Sequence, residues 1–239
     1  MTESLNTNYS LLTTPIKNYA IIVAGGIGSR MLSDIPKQFL LLNGRPMMMY
    51  TIEAFYHCQA HPEIIVVLHP DHHDYWLQLC VAHNFVIPHQ LVGGGDTRFQ
   101  SVKNGLKVID GDSIIAVHDA VRPLVDVKVI DQSYMVAAEK GNAIVAVQSR
   151  DSIRQLKNNQ TAAVPRDEIY LVQTPQAFRS DILRKAYEQD YHSNFTDDAS
   201  VVELSGVDIH LVNGNHTNIK VTFPEDIAIA EMLLGKSAR

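Results

Sequence analysis

Tyr19-Ala-Ile-Ile-Val-Ala-Gly-Gly-Ile-Gly-Ser-Arg-Met-Leu-Ser-Asp-Ile-Pro-Lys37 is the stretch whose reading decides the fold. The apolar run Ala20 to Ala24 has the length of a strand and no polar alternation, which predicts burial on both faces. It breaks into Gly25, Gly26 and Gly28, then Arg30, then Pro36-Lys37 and an apolar stretch from Phe39. Glycines let a backbone approach a ligand closely and turn several N–H groups toward one point, so the loop predicts an anion site, with phosphate as the natural guest. A P-loop requires Gly-Lys-Ser/Thr after its first glycine, and a dinucleotide fingerprint requires a third glycine where Met31 stands; neither fits. What remains is a glycine loop carrying Arg30 and Lys37, two fixed charges suited to a polyphosphate. The plain alternative is a turn at a strand end with solvated basic residues.

Outward from this stretch, strands and helices alternate. Met47 to Cys58 places Met48, Ile52, Phe55 and Tyr56 at helical spacing, and Ile64 to Leu68 is a second wholly apolar strand. A helix is predicted over Asp71 to Asn84, a short strand over Phe85 to Leu91, a helix over Ser101 to Val108, and a strand over Ile114 to Val117. A helix over Val127 to Glu139 and a strand over Ala143 to Val147 follow. This is the pattern of a doubly wound, mostly parallel α/β sheet. From Gln148 to Asp167 the pattern changes to two short strands about the polar turn Asn158-Asn159-Gln160. A hairpin of that size has little core of its own, so it is expected to reach over a second subunit, with a surface loop as the alternative. Gln173 to Phe178 is constrained by Pro175, Asp181 to Asp190 is helical, and Thr196 is placed to cap a helix carrying Val201, Val202 and Leu204. Val207 to Val212 is a strand, Asn218 to Thr222 is extended, and a final helix covers Ile227 to Leu234.

The 239 residues suit one domain, read as 19–239 with a flexible extension at 1–18. A net charge of −6 and a pI near 6.0 argue against a general nucleic-acid binder. Cys58 and Cys80 form no metal-type pair, which predicts a reducing compartment without a disulfide framework. No signal-peptide core or membrane-length apolar run occurs, and the expected location is the cytoplasm.

Ligands of such sheets collect beyond the carboxyl ends of the strands. There the sequence offers Gly94-Gly95-Asp96-Thr97-Arg98 with Ser101, and His118-Asp119-Ala120-Val121-Arg122-Pro123. Asp119 can accept from substrate hydroxyls or coordinate Mg²⁺ while Arg122 binds phosphate, or the two simply close a turn. A lone histidine at a strand end, His118, reads as packed rather than catalytic. His69, His72, His73 and Asp74 resemble metal ligands but fall at a strand-to-helix junction, where solvated polar residues are common. Thr174, held by Pro175, presents a hydroxyl in a fixed direction, and Lys220 is a further lysine on an extended segment.

These stretches together resemble the 2-C-methyl-D-erythritol 4-phosphate cytidylyltransferase family. Ala24-Gly-Gly-Ile-Gly-Ser-Arg30 with Pro36-Lys-Gln-Phe39, Gly94-Gly-Asp-Thr-Arg98 with Ser101-Val102, Val117-His-Asp-Ala-Val-Arg-Pro123, Gln173-Thr-Pro-Gln176, Thr196-Asp-Asp-Ala199 and Asn218-Ile-Lys-Val-Thr222 follow the order of its motifs from about residue 19 to 235. The resemblance implies transfer of a cytidylyl group from CTP, with Mg²⁺, to 2-C-methyl-D-erythritol 4-phosphate, with release of pyrophosphate, in the non-mevalonate route to isoprenoids. It implies that Arg30 and Lys37 stabilise the transition state and that Ala24, Gly25, Gly26 and Gly28 hold the triphosphate and face the base. By the same resemblance Gly95, Asp96 and Ser101 lie near the cytidine. Asp119, Arg122, Thr174 and Thr196 lie near the acceptor, and Arg166 and Lys220 position its phosphate. Ser152 stands where the family usually has threonine, on an arm offered by the other subunit of a homodimer built through 148–170. Gly25 replaces a commoner alanine, Leu32 a glycine, and the arm lacks a proline the family tends to have. The Ala-Gly-Gly form also occurs in the sister enzyme acting on ribitol 5-phosphate, while the Thr196-Asp-Asp-Ala and Ser101-Val patterns favour methylerythritol phosphate. A nucleotide-binding module without chemistry is the alternative from another class; a dinucleotide-dependent oxidoreductase lacks the third glycine.

Overall fold

The computed structural model describes residues 16–25 and 35–237, with side chains to 235. The chain forms β1 (Lys17–Val23), β2 (Leu41–Leu42), β3 (Arg45–Pro46), α1 (Met47–His57), β4 (Glu63–Leu68), α2 (His73–Ala82), β5 (Gln90–Gly93), α3 (Arg98–Leu106), β6 (Ser113–Asp119) and α4 (Val127–Lys140). It continues with β7 (Asn142–Gln148), β8 (Ile153–Lys157), β9 (Gln160–Val164), β10 (Tyr170–Arg179), α5 (Ser180–Ala186), α6 (Asp198–Leu204), β11 (Leu211–Asn213) and α7 (Glu225–Ser237). Seven strands make one sheet in the order β11-β7-β10-β6-β1-β4-β5. The pairings are parallel, except that β10 runs antiparallel to β6 and β7.

The wholly apolar strands are buried on both faces, as parallel strands between helices must be. Along β1, Ala20 and Ile22 pack with Met48, Ile52, Phe55 and Ile130 of α1 and α4, while Tyr19 and Ile21 pack with Val102, Leu106, Leu183 and Val202 of α3, α5 and α6. A smaller cluster of Leu42, Met47, Val121, Val221 and Ala230 seats α7 against β2 and β3.

Several boundaries differ from the sequence reading. β1 begins at Lys17, pairing it with Ser113, so Lys17 and Asn18 are strand residues within the predicted extension. α3 starts at Arg98 rather than Ser101, because Thr97 caps it by accepting from the Gln100 N–H. The strand expected over 85–91 is confined to Gln90–Gly93: Pro88 interrupts the run, and buried Phe85 packs on the Trp76 ring instead of pairing. The strand expected over 207–212 is only Leu211–Asn213. The segment 173–178 belongs to β10, whose register shifts between Val172 and Gln176, around Pro175. The expected hairpin is present as β8 and β9, a separate two-stranded sheet that is exposed over most of its length.

Candidate active site

Strands β1, β4 and β5 succeed one another toward one edge, and β6 then returns to the opposite side of β1. The carboxyl ends of β1 and β6 flank this switch point, where open α/β sheets bind their ligands. The end of β1 is held there by its neighbours. The Ala24 N–H donates to the Val67 carbonyl at 2.8 Å, and the Gln38 amide donates to the Ala24 carbonyl at 2.7 Å. Gly26, Gly28 and Arg30 lie outside the described residues. Lys37 lies on a one-turn 3₁₀ helix (Lys37–Phe39) anchored by buried Phe39, whose ring meets Tyr75 edge-on at 5.2 Å.

Beyond the strand ends lie two adjoining hollows. The larger, about 470 Å³, is lined by Ala24, Gly25, Lys37, Gly95, Asp96 and His69 among others. The smaller, about 240 Å³, is lined by Arg122, Thr174, Thr196, Gln173, Gln176 and Asp197. Arg98, Asp119 and Lys220 line both. Of the expected residues described, the structure therefore brings together Lys37, Ala24, Gly25, Gly95, Asp96, Asp119, Arg122, Thr174, Thr196 and Lys220.

Asp119, the last residue of β6, is the anionic centre. Arg122 lies 3.2 Å and Lys220 3.1 Å from its Oδ2, and Arg98 lies 3.6 Å from its Oδ1. Burial alone would raise this carboxyl, but the charges of Arg98, Lys220 and Arg122 hold it well below the usual carboxylate range. The Asp119 N–H donates to the Thr174 hydroxyl at 3.0 Å. Arg122 donates to the Asn218 carbonyl at 2.8 Å, and the Asn218 amide donates to the Thr174 carbonyl at 2.9 Å. Strand β10 at Thr174 and the segments bearing Arg122 and Lys220 are thus tied into one frame.

Expected residues outside the hollows divide into two kinds. Ser101 is buried beneath the glycine turn; its hydroxyl accepts from the Gly95 N–H at 3.1 Å and donates to the Thr97 carbonyl at 2.9 Å. Ser152 and Arg166 are exposed on the hairpin arm and line neither hollow of their own chain. Thr196 does not cap α6: Asp197 does, accepting from the Ser200 N–H in a reciprocal box, because the helix starts one residue later than expected. This leaves the Thr196 side chain facing the smaller hollow. His118 is fully buried, edge-on to Phe55, and burial lowers it to about 3, so the ring is neutral. His69 accepts from the Asp71 N–H and the His73 ring meets the Leu68 carbonyl, so both serve the strand-to-helix junction.

Among the described residues no cage for a divalent cation is formed. Among the described residues no three His, Cys, Asp or Glu side chains converge, and Asp119, the expected metal ligand, already faces three cations. Charge neutralisation by this chain therefore rests on its arginines and lysines.

Arg98 was legible as part of the Gly94–Arg98 run, but its role was not. It pairs at 2.6 Å with buried Asp198, a hundred residues away in sequence, and burial's opposition to its charge is overcome by Asp198 and Asp119, which raise it.

An α/β domain with a glycine-rich strand end at the switch point and two cation-lined hollows sharing one wall suits the class of enzymes that join a nucleotide to a second phosphorylated molecule. The family described as IspD, 2-C-methyl-D-erythritol 4-phosphate cytidylyltransferase, matches residues 18–236. Proteins of that description from Bacteroides thetaiotaomicron and Azobacteroides pseudotrichonymphae are 46% and 48% identical over 219 residues, covering 92% and 91% of this chain and 100% and 99% of theirs. The crystal structure of the 4-diphosphocytidyl-2C-methyl-D-erythritol synthase from Anaerococcus prevotii superposes with a TM-score of 0.79 at 28% identity, covering 92% of this chain and 96% of its own. That of the Francisella tularensis cytidylyltransferase does so with 0.73 at 33%, covering 90% and 99%. The chain belongs to the 2-C-methyl-D-erythritol 4-phosphate cytidylyltransferase family, and its reaction is the cytidylyl transfer that forms 4-diphosphocytidyl-2-C-methyl-D-erythritol on the non-mevalonate route.

Proposed function

We propose that the larger hollow takes CTP and the smaller takes 2-C-methyl-D-erythritol 4-phosphate, so that the two meet at the wall formed by Arg98, Asp119 and Lys220. The observation carrying this reading is the charge balance of that wall. Asp119 and Asp198 stand against Arg98, Arg122 and Lys220, leaving an excess positive charge facing both hollows. Two polyanions repel unless fixed cations lie between them, and fixed cations cost no reorganisation when charge develops. A phosphate oxygen of the acceptor attacks the α-phosphorus of CTP, forming a new P–O bond as the P–O bond to pyrophosphate breaks. No covalent intermediate is required, and catalysis is positioning and charge neutralisation.

In this reading Lys37, with Arg30, faces the charge that develops toward pyrophosphate, and the Gly25 and Gly95 turns admit the nucleotide. Gly26 and Gly28 continue the triphosphate cradle. Ser101 acts from beneath, shaping the Gly95 turn. Asp119, Thr174 and Thr196 meet the polyol hydroxyls; Arg122 and Lys220 meet its phosphate. Ser152 and Arg166 serve the smaller hollow of a second subunit, since the exposed hairpin carries them away from their own, and exposed Leu156, Tyr170, Leu171 and Val172 give that arm apolar surface to bury. Cys58 and Cys80 are free, with burial pushing both thiols up to about 11, in keeping with a reducing compartment and no redox role.

Pyrophosphate release with CTP, measured against a panel of polyol phosphates, tests the assignment. Release with 2-C-methyl-D-erythritol 4-phosphate is expected. Release with ribitol 5-phosphate and none with the methylerythritol compound overturns it.

A further inference from the structure

Arg98 enters above only as one charge of the wall between the hollows, yet its guanidinium faces two carboxylates at once. One nitrogen, Nη2, donates to Asp198 Oδ2 at 2.6 Å. The other, Nε, faces Asp119 Oδ1 at 3.6 Å. Asp198 has no exposed surface, and its second oxygen accepts from the Tyr187 hydroxyl at 2.6 Å. Tyr187 is itself buried and stacks at 4.7 Å on Phe99, the next residue of α3. The guanidinium is therefore fixed from behind by a carboxylate with both oxygens engaged. On its far side, Arg122 and Lys220 share the other oxygen of Asp119.

We infer that Arg98 is a positioning residue for the acceptor: its charge, 3.6 Å from Oδ1 of Asp119, holds that oxygen away from Arg122 and Lys220, which share Oδ2, and their charge stays available to an anion in the smaller hollow. This rests on the reading that the smaller hollow takes the polyol phosphate. Without Arg98, Asp119 is free to turn both oxygens toward Arg122 and Lys220, and a carboxylate engaged at both oxygens is a stronger competitor with phosphate. The wall also loses its excess positive charge. Lysine at position 98 keeps the charge but not the fork, since one ammonium cannot hold Asp198 and Asp119 in the same planar geometry.

A purely structural staple between α3 and α6 makes a different prediction, and steady-state kinetics well below the melting temperature separate the two. Arg98→Lys is expected to raise the KM for 2-C-methyl-D-erythritol 4-phosphate about tenfold, the scale of weakening one charged hydrogen bond, while the KM for CTP changes by less than about threefold. Tyr187→Phe, which removes only the hydroxyl behind Asp198 and touches neither hollow, shifts the acceptor KM in the same direction by about twofold to threefold. Arg98→Lys and Lys220→Ala combined raise the acceptor KM by less than the product of their separate effects, because one acts through the other. A lowered melting temperature with both KM values unchanged, or an equal rise in both, overturns the inference. Lys220→Ala alone serves as the reference. If it leaves the acceptor KM unchanged, the assignment of the smaller hollow falls and this inference with it. If Lys220→Ala raises that KM and Arg98→Lys does not, only the inference about Arg98 falls.

Discussion

Asp119 and His118 are neighbours on β6, and burial treats them differently: three cations outweigh it at Asp119, whereas at His118 it outweighs the Asp119 charge and the Arg122 carbonyl, which meets Nε2 at 3.3 Å. Asp119 keeps its charge because three cations surround it, whereas His118 faces Phe55 with its Nδ1 unpartnered and stays neutral. A histidine whose folded value is depressed leaves stability intact above the unfolded value and erodes it as pH falls toward the folded one. Between pH 7 and pH 5 the protein should therefore lose about 2 kcal/mol more than a His118→Gln variant, measured as the difference between their urea-unfolding free energies at each pH. Asp119 does not blur that window, since its contribution fades only below the ordinary carboxylate range. Lys37 is a second test at this scale. Lys37→Ala should cut pyrophosphate release about a hundredfold while CTP binding is partly retained, as when one donor to a developing charge is lost. Equal modest losses in both would make the protein a nucleotide binder rather than a catalyst. Gly25 also finds its reason here: a Cβ would come to 3.0 Å from the Ser101 hydroxyl, so alanine at this position would force Ser101 to shift.

The start of α6 shows two adjacent residues dividing two tasks. Asp197 caps the helix and also accepts from the Gln176 amide at 2.9 Å, while the Ala199 N–H donates back to Gln176 at 2.8 Å. Asp197→Ala should cost about 1 kcal/mol in chemical denaturation, the usual value of a helix cap. Thr196→Ala should change stability by less than about 0.5 kcal/mol, as a surface substitution does, while raising the acceptor KM. The reverse pattern would return the cap to Thr196. At this scale the sequence was legible where a strand is one unbroken apolar run, as in β1, β4, β6 and β7, and less so where pairing depends on the partner. The ten-residue β10 was read only as a segment restrained by Pro175, because its place between β6 and β7 is decided by strands more than twenty residues earlier.

Across the whole molecule, the hairpin of β8 and β9 stands apart from the seven-stranded sheet, and Arg166 is exposed, its guanidinium reaching only the Arg150 carbonyl and Asp167 nearby. The protein should sediment as a dimer of the 26.6 kDa chain, and Arg166→Ala should raise the acceptor KM although Arg166 lines no hollow of its own chain. A solution mass of one chain would rule out exchange of the arm. Among the described residues no helix is long and apolar enough to cross a membrane.

The alternation of strands and helices over the first 150 residues and the gathering of Lys37, Asp119, Arg122, Thr174 and Lys220 at the strand ends were written in the sequence, because apolar runs and loop chemistry report burial and backbone freedom directly. The pairing of Arg98 with Asp198, the cap at Asp197, the antiparallel β10 and the division of the site into two hollows around Asp119 were settled only by the tertiary structure. Each depends on which distant segments the sheet order brings together, and a contact between residues a hundred positions apart leaves no local pattern in either of them.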